Sequence, residues 1–296
     1  MLDEKESKNR IAAAYALMRP CCLCPRACGV DRAAGERGFC GAGERPVVAS
    51  AAPHFGEEPC LVGSGGSGTI FLAGCNLGCV FCQNFDISHS IVGERMDASA
   101  VARLMVALEA RGCENVNFVT PTHVAPALAE AVLEARGGGL RVPVVWNCGG
   151  YESVEALRPL EGLVEIYMPD FKFARRESAE RYCGAPDYPE RAREALGEMH
   201  RQVGDLRVED GVARRGLLVR HLVMPGGLEE AREVLEFLAS LSPRTSVNVM
   251  GQYRPEGLVL RPEGRSEWAA IARRPTPDEV AEARRLAAGL GLRVVE

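Results

Sequence analysis

Three closely spaced cysteines, Cys75, Cys79 and Cys82, give the strongest chemical signal in the chain. They form a C-x3-C-x2-C pattern within the stretch GCNLGCVFCQNF, and no fourth cysteine follows in phase. Thiolates are preferred ligands of zinc and of iron–sulfur clusters. With three protein ligands, a metal unit keeps one position open for water or a substrate. The spacing therefore predicts a metal centre that must contact something other than protein.

A second group of cysteines lies in the stretch CCLCPRACGVDRAAGERGFCG. Cys21 or Cys22, followed by Cys24, Cys28 and Cys40, offers four ligands in a C-x2-C-x3-C-x11-C pattern that suits tetrahedral zinc. Four cysteines hold a second iron–sulfur cluster equally well, so the identity of the metal stays open. The alternative without metal is a reduced, loosely ordered loop, since disulfides are rare in a reducing compartment.

Lys172 is conspicuous because it is the only lysine beyond residue 8 in a chain with 35 basic residues. Arginine supplies nearly all of the generic positive charge, so a lysine in the folded body is a candidate for a specific role. The remaining cysteines are scattered, and we expect most of them to be small buried hydrophobic residues. They are Cys60, Cys113, Cys148 and Cys183.

The composition is that of an ordinary globular protein, with 296 residues, 47% hydrophobic and 25% charged. A net charge of −5 gives no reason to bind nucleic acid or an anionic membrane. The first ten residues are polar, unlike a signal peptide, and no apolar run reaches the roughly 18–20 residues that span a bilayer. We therefore expect a cytoplasmic protein without nucleic-acid or membrane partners, whose clustered cysteines serve metal or redox chemistry.

Short apolar runs alternate with amphipathic segments from residue 68 onward. The predicted strands are 68–72, 115–119, 142–146, 163–168, 217–223 and 245–249. The predicted helices are 9–18, 98–111, 123–136, 152–158, 188–203, 227–240 and 276–290. This alternation is typical of βαβ units around a parallel sheet.

Six such units do not close an eight-stranded barrel, so the predicted fold is α/β, a partial (β/α)6 TIM-like barrel with a Cys-rich N-terminal extension. A doubly wound sheet is the alternative. We place the metal-binding extension at residues 1–62 and the barrel at residues 63–296. Residues 252–275, rich in arginine and proline, are predicted to form a surface connection.

Functional residues gather at the carboxyl ends of the strands in folds of this kind. The three closely spaced cysteines follow directly after the first predicted strand. Asp170 and Lys172 end the fourth strand two positions apart, so their side chains should project to the same side. They form either a functional pair or a surface ion pair. His221, near the end of the fifth strand, is either a binding residue or a satisfied core residue.

The stretch GCNLGCVFC resembles the cluster signature of the radical S-adenosylmethionine (SAM) enzymes, C-x3-C-x-aromatic-C, with Phe81 as the aromatic residue. With HFGEEP at 54–59, VWNCGGYE at 145–152 and IYMPDFK at 166–172, the chain is similar to pyruvate formate-lyase activating enzyme. With LCPRACGVDR at 23–32, it resembles a poorly characterised branch of that group with a cysteine-rich N-terminus. The resemblance covers nearly the whole chain.

This resemblance implies a 4Fe–4S cluster on Cys75, Cys79 and Cys82, with S-adenosyl-L-methionine at the open iron. It implies an oxidoreductase that makes a 5′-deoxyadenosyl radical and abstracts hydrogen from a substrate, as an activase of a glycyl-radical enzyme does. The same chemistry on a small molecule or peptide is the alternative, and a non-catalytic iron–sulfur electron-transfer protein is a third. A flavodoxin or ferredoxin is the implied reductant.

The SAM pocket is expected at the ends of strands two to four. Such enzymes often carry a Gly-Gly-Glu element after strand two, where this chain has NFVTPTH, so Thr120, Thr122 or His123 would contribute instead. Asn147 and Gly149 end strand three, where the family often binds the ribose or methionine moiety. A turn with a capping asparagine is the alternative there.

Lys172 suits the SAM carboxylate, and Asp170 suits a hydroxyl or amine of SAM. His221 is the remaining cofactor-binding candidate.

Several polar residues are candidates for the substrate side of the site. His54, Glu57 and Glu58 precede strand one and could ligate a metal or handle protons, or could be solvated. Gln252 and Tyr253 follow strand six, and Tyr253 is either near the adenine or packed in the core. No catalytic residue is assigned from the sequence.

Overall fold

The structure is a computed structural model that describes residues 4–295. The outer domain limits predicted at residues 1 and 296 lie outside these residues. The strands, in chain order, are β1 (Val47–His54), β2 (Ser67–Leu72), β3 (Glu94–Arg95), β4 (Asn115–Val119), β5 (Val144–Cys148), β6 (Ile166–Pro169), β7 (Arg207–Glu209), β8 (Val212–Leu222), β9 (Ser246–Met250) and β10 (Arg293–Val294).

Eleven α-helices are assigned among the described residues. They are α1 (Glu4–Ala16), α2 (Pro59–Val62), α3 (Phe85–Ser88), α4 (Ala98–Ala110), α5 (Ala125–Gly137), α6 (Val154–Leu157), α7 (Arg176–Cys183), α8 (Tyr188–Val203), α9 (Leu228–Leu241), α10 (Pro262–Glu267) and α11 (Pro277–Gly289). Within residues 4–295, none of the helices is both long enough and apolar enough to cross a bilayer.

The sheet is mixed but mostly parallel. Six strands, β2, β4, β5, β6, β8 and β9, pair in parallel and lie side by side in chain order. A doubly wound sheet would reverse its strand order at a switch point, and this sheet does not. The mixed α/β fold and the six parallel strands are confirmed, whereas closure into a partial barrel stays a prediction.

The edges of the sheet carry strands that the sequence pattern did not reveal. β1 runs antiparallel to β2 and also pairs with β3, while β10 extends the other edge beyond β9. β1 reads VVASAAPH, and after its two buried valines it alternates between half-buried and exposed residues, so it has little of the continuous apolar character of a central strand. Because β1 lies before residue 62, the sheet crosses the predicted boundary between extension and barrel.

The two faces of the parallel sheet are covered differently. Side chains such as Phe118, Trp146 and Val219 belong to the large core beneath the helices. Val145, Met168 and Leu218 belong to a small separate cluster on the other face, together with Leu61 of α2 and residues near β7. Successive residues of a strand face opposite sides, which is why the strands read as continuous apolar runs.

Local sequence signals fix the ends of the helices that pack on the sheet. Asp97 caps α4 by accepting a hydrogen bond from the backbone N–H of Ala100, 2.8 Å away. Thr276 and Glu279 form a complete capping box at the start of α11. α7, which was not predicted, ends at Gly184 in a left-handed conformation.

The cysteine-rich segment between α1 and β1 has almost no regular structure. Its ordered backbone contacts include an isolated bridge between Met18 and Cys21. Met18, Cys21 and Leu23 form a small buried cluster with Ala156 of α6. The segment is therefore anchored to the body of the protein by a small apolar contact, and other interactions must define its path.

Candidate functional site

An open cavity of about 540 Å³ lies at the carboxyl ends of the parallel strands. Most of the predicted metal and cofactor residues line it: Cys75, Cys79, Cys82, Thr120, Asn147, Gly149, Asp170 and Lys172. The substrate-side candidates His54, Glu57, Glu58 and Gln252 line it as well. The sequence placed these residues in separate segments, and the fold brings them to one cavity.

The three cysteines lie in a loop that the rest of the chain holds closely. Gly74, which precedes Cys75, has a φ of +85°, and a Cβ there would come within 2.6 Å of the carbonyl oxygen of Cys40. The sulfur of Cys75 accepts a hydrogen bond from the backbone N–H of Leu77 at 3.3 Å. The Ser88 hydroxyl donates to the sulfur of Cys82 at 3.2 Å. Two of the three cysteine sulfurs therefore accept hydrogen bonds from nearby residues.

The thiol chemistry fits an iron–sulfur cluster. Burial raises the pKa of Cys75 to about 12 and also raises that of Cys82, so both are neutral thiols at pH 7 until a metal displaces their protons. Within residues 4–295, no three Cys, His, Asp or Glu side chains surround one point as ligands of a single ion do. Cluster ligands bind separate irons, so they need not share such a point.

Asp170 and Lys172 form an ion pair in the wall of the cavity. Burial alone would lower the pKa of Lys172, but the Asp170 carboxylate outweighs it and holds that pKa well above its usual value. The Tyr188 hydroxyl accepts a hydrogen bond from the Lys172 backbone N–H at 2.9 Å. It also lies 3.0 Å from the carbonyl oxygen of Gly149 and 3.1 Å from that of Asp170. Tyr188 therefore fixes the ends of two strands.

Thr120 has an unusual backbone conformation at the end of β4. Its φ is +62°, which is rare for a β-branched residue. A 2.8 Å hydrogen bond from its N–H to the carbonyl oxygen of Asn147 holds it beside β5. Backbone strain of this kind concentrates at functional sites, so the conformation makes Thr120 a stronger candidate than its sequence context did.

A buried charged group lies in the same cavity, on a wall formed by β8, β9 and the segment before α2. The Arg220 guanidinium pairs with Glu57 and Glu58, with its Nε 2.7 Å from Glu58 Oε1. Asn248 donates to the same oxygen at 2.8 Å. Burial alone would raise the pKa of Glu58, but Arg220 and Asn248 hold it below its usual value. Glu58 is therefore ionised at neutral pH.

Four of the predicted residues, His221, Thr122, His123 and Tyr253, do not line this cavity. His123 is buried, with its Nε2 2.8 Å from the carbonyl oxygen of Ala73. His221 points to the helix-covered face, because it follows Arg220 in the strand and alternation turns it away; it is buried, with Nδ1 2.8 Å from the Phe171 carbonyl oxygen. Thr122 instead donates to the buried carboxylate of Glu152. Tyr253 is also buried, and its hydroxyl donates to the carbonyl oxygen of Ile271 at 2.7 Å.

Cys183, Tyr188 and Asn248 contact the candidate site but were not singled out from the sequence. The sulfur of Cys183 lies 3.4 Å from that of Cys79, although 104 residues separate them. Tyr188 begins α8 and Asn248 lies within β9, so neither stands at a predicted strand end. The inward alternation of β9 could have identified Asn248 once its register was known.

The second group of cysteines borders a separate, much smaller cavity of about 10 Å³. Cys21, Cys24, Cys28 and Cys40 line it, whereas Cys22 is exposed and does not. The structure thus distinguishes Cys21 from Cys22, which the spacing alone left open. The metal predicted for this group stays a prediction.

Comparison with known proteins agrees with the geometry of the larger cavity. Residues 69–238 match the model of the Radical SAM superfamily. Over 287 residues the chain is 32% identical to an uncharacterized protein of Methanocaldococcus jannaschii, an alignment that covers 94% of this chain and 77% of that protein. The matched segment contains the three cysteines and all six parallel strands except β9 and the first two residues of β2. The chain therefore belongs to the radical SAM superfamily.

Proposed function

We propose that this protein is an enzyme that binds a 4Fe–4S cluster through Cys75, Cys79 and Cys82 and SAM beside it, and abstracts hydrogen from a substrate in the same cavity. The observation that carries the proposal is the convergence of three thiols and the polar ends of the parallel strands on one open cavity. When bound and reduced, the cluster supplies the electron that cleaves SAM to methionine and a 5′-deoxyadenosyl radical.

The chain's own residues would bind and orient SAM. Lys172 presents an ammonium group to the SAM carboxylate, and Asp170 accepts hydrogen bonds from the SAM amine or a ribose hydroxyl. Asn147 offers an amide donor and acceptor, and Gly149 leaves room because it has no side chain. Thr120 offers a hydroxyl beside them. Tyr188 acts through these residues, since it holds Gly149, Asp170 and Lys172 in place.

The charges of the cavity wall complement SAM. Three carboxylates line the cavity, those of Glu57, Glu58 and Asp170, against two cations, Lys172 and Arg220. The wall therefore has a net charge of −1 at neutral pH. SAM carries a sulfonium, an ammonium and a carboxylate, a net charge of +1. The attraction between opposite charges in a partly enclosed cavity favours this ligand.

The group around Arg220 would contact the substrate. Arg220, Glu58 and Asn248 are linked by hydrogen bonds that fix their orientation, and His54 lies in the same cavity. Such a preorganised polar wall can hold a substrate against the site of radical formation. His221 has no role in the proposal because it does not line the cavity.

The proposal also concerns the class of substrate, which is either a protein or a small molecule or peptide. A glycine of a protein partner, as for an activase of a glycyl-radical enzyme, is what the family resemblance implies. A small molecule or peptide is the second candidate, and the recessed charged group around Arg220 favours it, because such a wall suits a compact polar ligand. A flavodoxin or ferredoxin is the proposed reductant in both cases.

The reaction is tested anaerobically with the reconstituted, dithionite-reduced protein and SAM. We expect 5′-deoxyadenosine from the wild type and from Cys60→Ala, whose thiol lies outside the cavity, and none from Cys79→Ala. A wild-type sample that holds a reduced cluster but does not bind SAM in equilibrium dialysis would overturn the proposal and leave an electron carrier.

The substrate class is tested with extract from cells grown in deuterated medium, separated into proteins and small molecules. Hydrogen abstraction transfers deuterium to 5′-deoxyadenosine, which mass spectrometry detects. Transfer from the protein fraction supports the activase, and transfer from the small-molecule fraction supports the second candidate.

A further inference from the structure

The small cavity of the N-terminal segment has the size of a single ion. Its volume of about 10 Å³ is close to that of one water-sized sphere, which suits a single ion better than a four-iron cluster. Four thiols line it, those of Cys21, Cys24, Cys28 and Cys40. Four thiolates are the ligand set of tetrahedral structural zinc.

Arg32 gives an independent indication that something is bound there. It borders the same cavity, is 2% exposed, and its Nε has no hydrogen-bond partner among the described residues. Its other nitrogens donate to the carbonyl oxygens of His123 and Gly43. In the part of the chain that the structure describes, no carboxylate pairs with this guanidinium. Burying a cation without a counter-charge raises the free energy of the folded protein, so we expect an anion to bind beside Arg32.

Arg26, which is half-buried, also borders this cavity. Its guanidinium donates to four carbonyl oxygens, those of Asn76, Leu77, Cys183 and Gly184, at 2.5–3.0 Å. It stacks on the Phe39 ring, 3.8 Å from the centroid. No carboxylate among residues 4–295 forms an ion pair with it either. Two cations thus border a cavity that four thiols also line.

We propose that Cys21, Cys24, Cys28 and Cys40 bind one Zn²⁺ as a tetrathiolate centre, whose charge Arg26 and Arg32 balance. Zn²⁺ displaces the four thiol protons, which pass to solvent, and the resulting centre carries two negative charges. The two guanidinium groups neutralise it, and Arg32 Nε–H gains a thiolate acceptor. The sulfurs line the cavity without yet surrounding one point, so binding requires their side chains to turn inward.

His123 is a fifth candidate ligand for the zinc ion, but the charge balance of the centre disfavours it. Its Nε2 lies 2.8 Å from the carbonyl oxygen of Ala73, which can only accept, so Nδ1 carries the free lone pair and has no partner among the described residues. A centre of three thiolates and His123 would carry one negative charge and leave one arginine uncompensated. Four thiolates match both arginines.

The centre would organise the segment and fasten it to the radical SAM site. The segment between α1 and β1 has almost no helix or strand, so cross-linking its cysteines through one ion would define its path. Arg26 then reaches from the zinc centre to Asn76 and Leu77, inside the loop of Cys75, Cys79 and Cys82. We infer a structural metal that supports the reactive one.

The test compares the full chain with Cys24→Ser and Cys22→Ser after anaerobic purification from zinc-supplemented cells. We expect about one zinc per chain in the wild type and in Cys22→Ser, and an about tenfold loss in Cys24→Ser. Cys79→Ser should keep its zinc, which makes this result independent of the proposed function. Equal zinc in the Cys22 and Cys24 variants, or about eight irons and no zinc per chain in the wild type, would overturn the proposal.

Two measurements on the wild type cover the case in which Cys24→Ser does not fold, and two further variants test the ligand set. Co²⁺ added to metal-depleted protein should give the charge-transfer and visible bands of a tetrahedral thiolate site. Zn²⁺ alone should protect the four cysteines, but not Cys22, from iodoacetamide, as read by peptide mass spectrometry. Absence of both the bands and the protection would overturn the site. Zinc retained in Cys28→Ser but lost in His123→Ala would overturn the four-thiolate ligand set.

Discussion

The two thiol sites lie close together, yet they differ in almost every property that decides chemistry. The site of Cys75, Cys79 and Cys82 faces an open cavity of about 540 Å³, whereas that of Cys21, Cys24, Cys28 and Cys40 encloses about 10 Å³. Three thiols leave a metal unit open to a ligand, and four saturate a single ion. In our proposals, the number of thiols and the available space separate the reactive metal site from the structural one.

The two sites also differ in how their charged side chains are paired. Acidic and basic side chains pair with each other in the open cavity, as Asp170 does with Lys172 and Glu58 with Arg220. Around the small cavity, within the described residues, both arginines donate to carbonyl oxygens, and Arg26 also lies over the rings of Phe39 and Tyr151. Paired groups can exchange partners when a ligand enters, whereas a buried cation without a counter-charge, such as Arg32, favours a permanent anion.

The largest expected effect is a separation of the two metals. In Cys75→Ser we expect iron to fall from about four per chain to less than about one, with zinc unchanged. In Cys40→Ser zinc should fall and most of the iron should stay, because the two ligand sets share no residue. Elemental analysis of anaerobically purified protein measures both. If both metals fell together in each variant, the comparison of two separate sites would fail.

Removal of Arg220 tests how much the ion pairs in the open cavity stabilise the folded protein. Arg220→Met leaves Glu58 buried without its cation, and we expect a loss of about 3–5 kcal/mol in the free energy of unfolding, measured in urea at pH 7. The control is Arg201→Met, because its pairs with Glu161 and Glu198 involve a side chain that is 54% exposed. That change should cost far less than Arg220→Met, because solvent screens an exposed ion pair.

The pH dependence of stability sharpens the same test. The pKa of Glu58 is lowered by folding, so its contribution is full above the ordinary glutamate pKa and is lost as pH falls toward the folded pKa. Without Arg220, burial should raise the pKa of Glu58 instead. The contribution of Glu58 to the free energy of unfolding should then be lost as pH rises. Equal pH profiles for the wild type and Arg220→Met would contradict this assignment.

Lys172 tests whether the open cavity recognises an anionic group of its ligand. Lys172→Met should weaken SAM binding about 10- to 100-fold, the value of a charge-assisted hydrogen bond, in equilibrium dialysis of the cluster-loaded protein. Iron content should not change, because Lys172 is not a ligand. Asp170→Asn serves as the companion variant, since it keeps the cation. Unchanged SAM affinity in Lys172→Met would remove Lys172 from the proposed site.

The smallest effect is expected from the hydroxyl that links two strand ends. Tyr188→Phe should reduce the free energy of unfolding by about 1–2 kcal/mol, because the Lys172 N–H and nearby carbonyl oxygens lose a partner. Tyr182→Phe is the control, since no hydrogen bond of its hydroxyl is seen among the described residues. Equal stability of the two variants would show that Tyr188 is a packing residue only.

Local spacing and periodicity were sufficient for much of the fold and for the centre of the site. The spacing of Cys75, Cys79 and Cys82 depends on a few consecutive residues, and the six parallel strands depend on apolar runs of five to seven residues. Asp170 and Lys172 share a side because alternation along a strand is a local property. β1 was missed because an edge strand, half exposed and rich in alanine, lacks that apolar signal.

The sequence alone determined the ligand chemistry of the three closely spaced cysteines, the superfamily and the positions of the six strands along the chain, because each depends on neighbouring residues. Only the tertiary structure decided which distant groups meet. Arg220 pairs with Glu58 across 162 positions, and Cys183 reaches Cys79 across 104. It also separated Cys21 from its neighbour Cys22 and turned His221 away from the cavity. Such outcomes depend on strand register and chain path, which no local pattern contains.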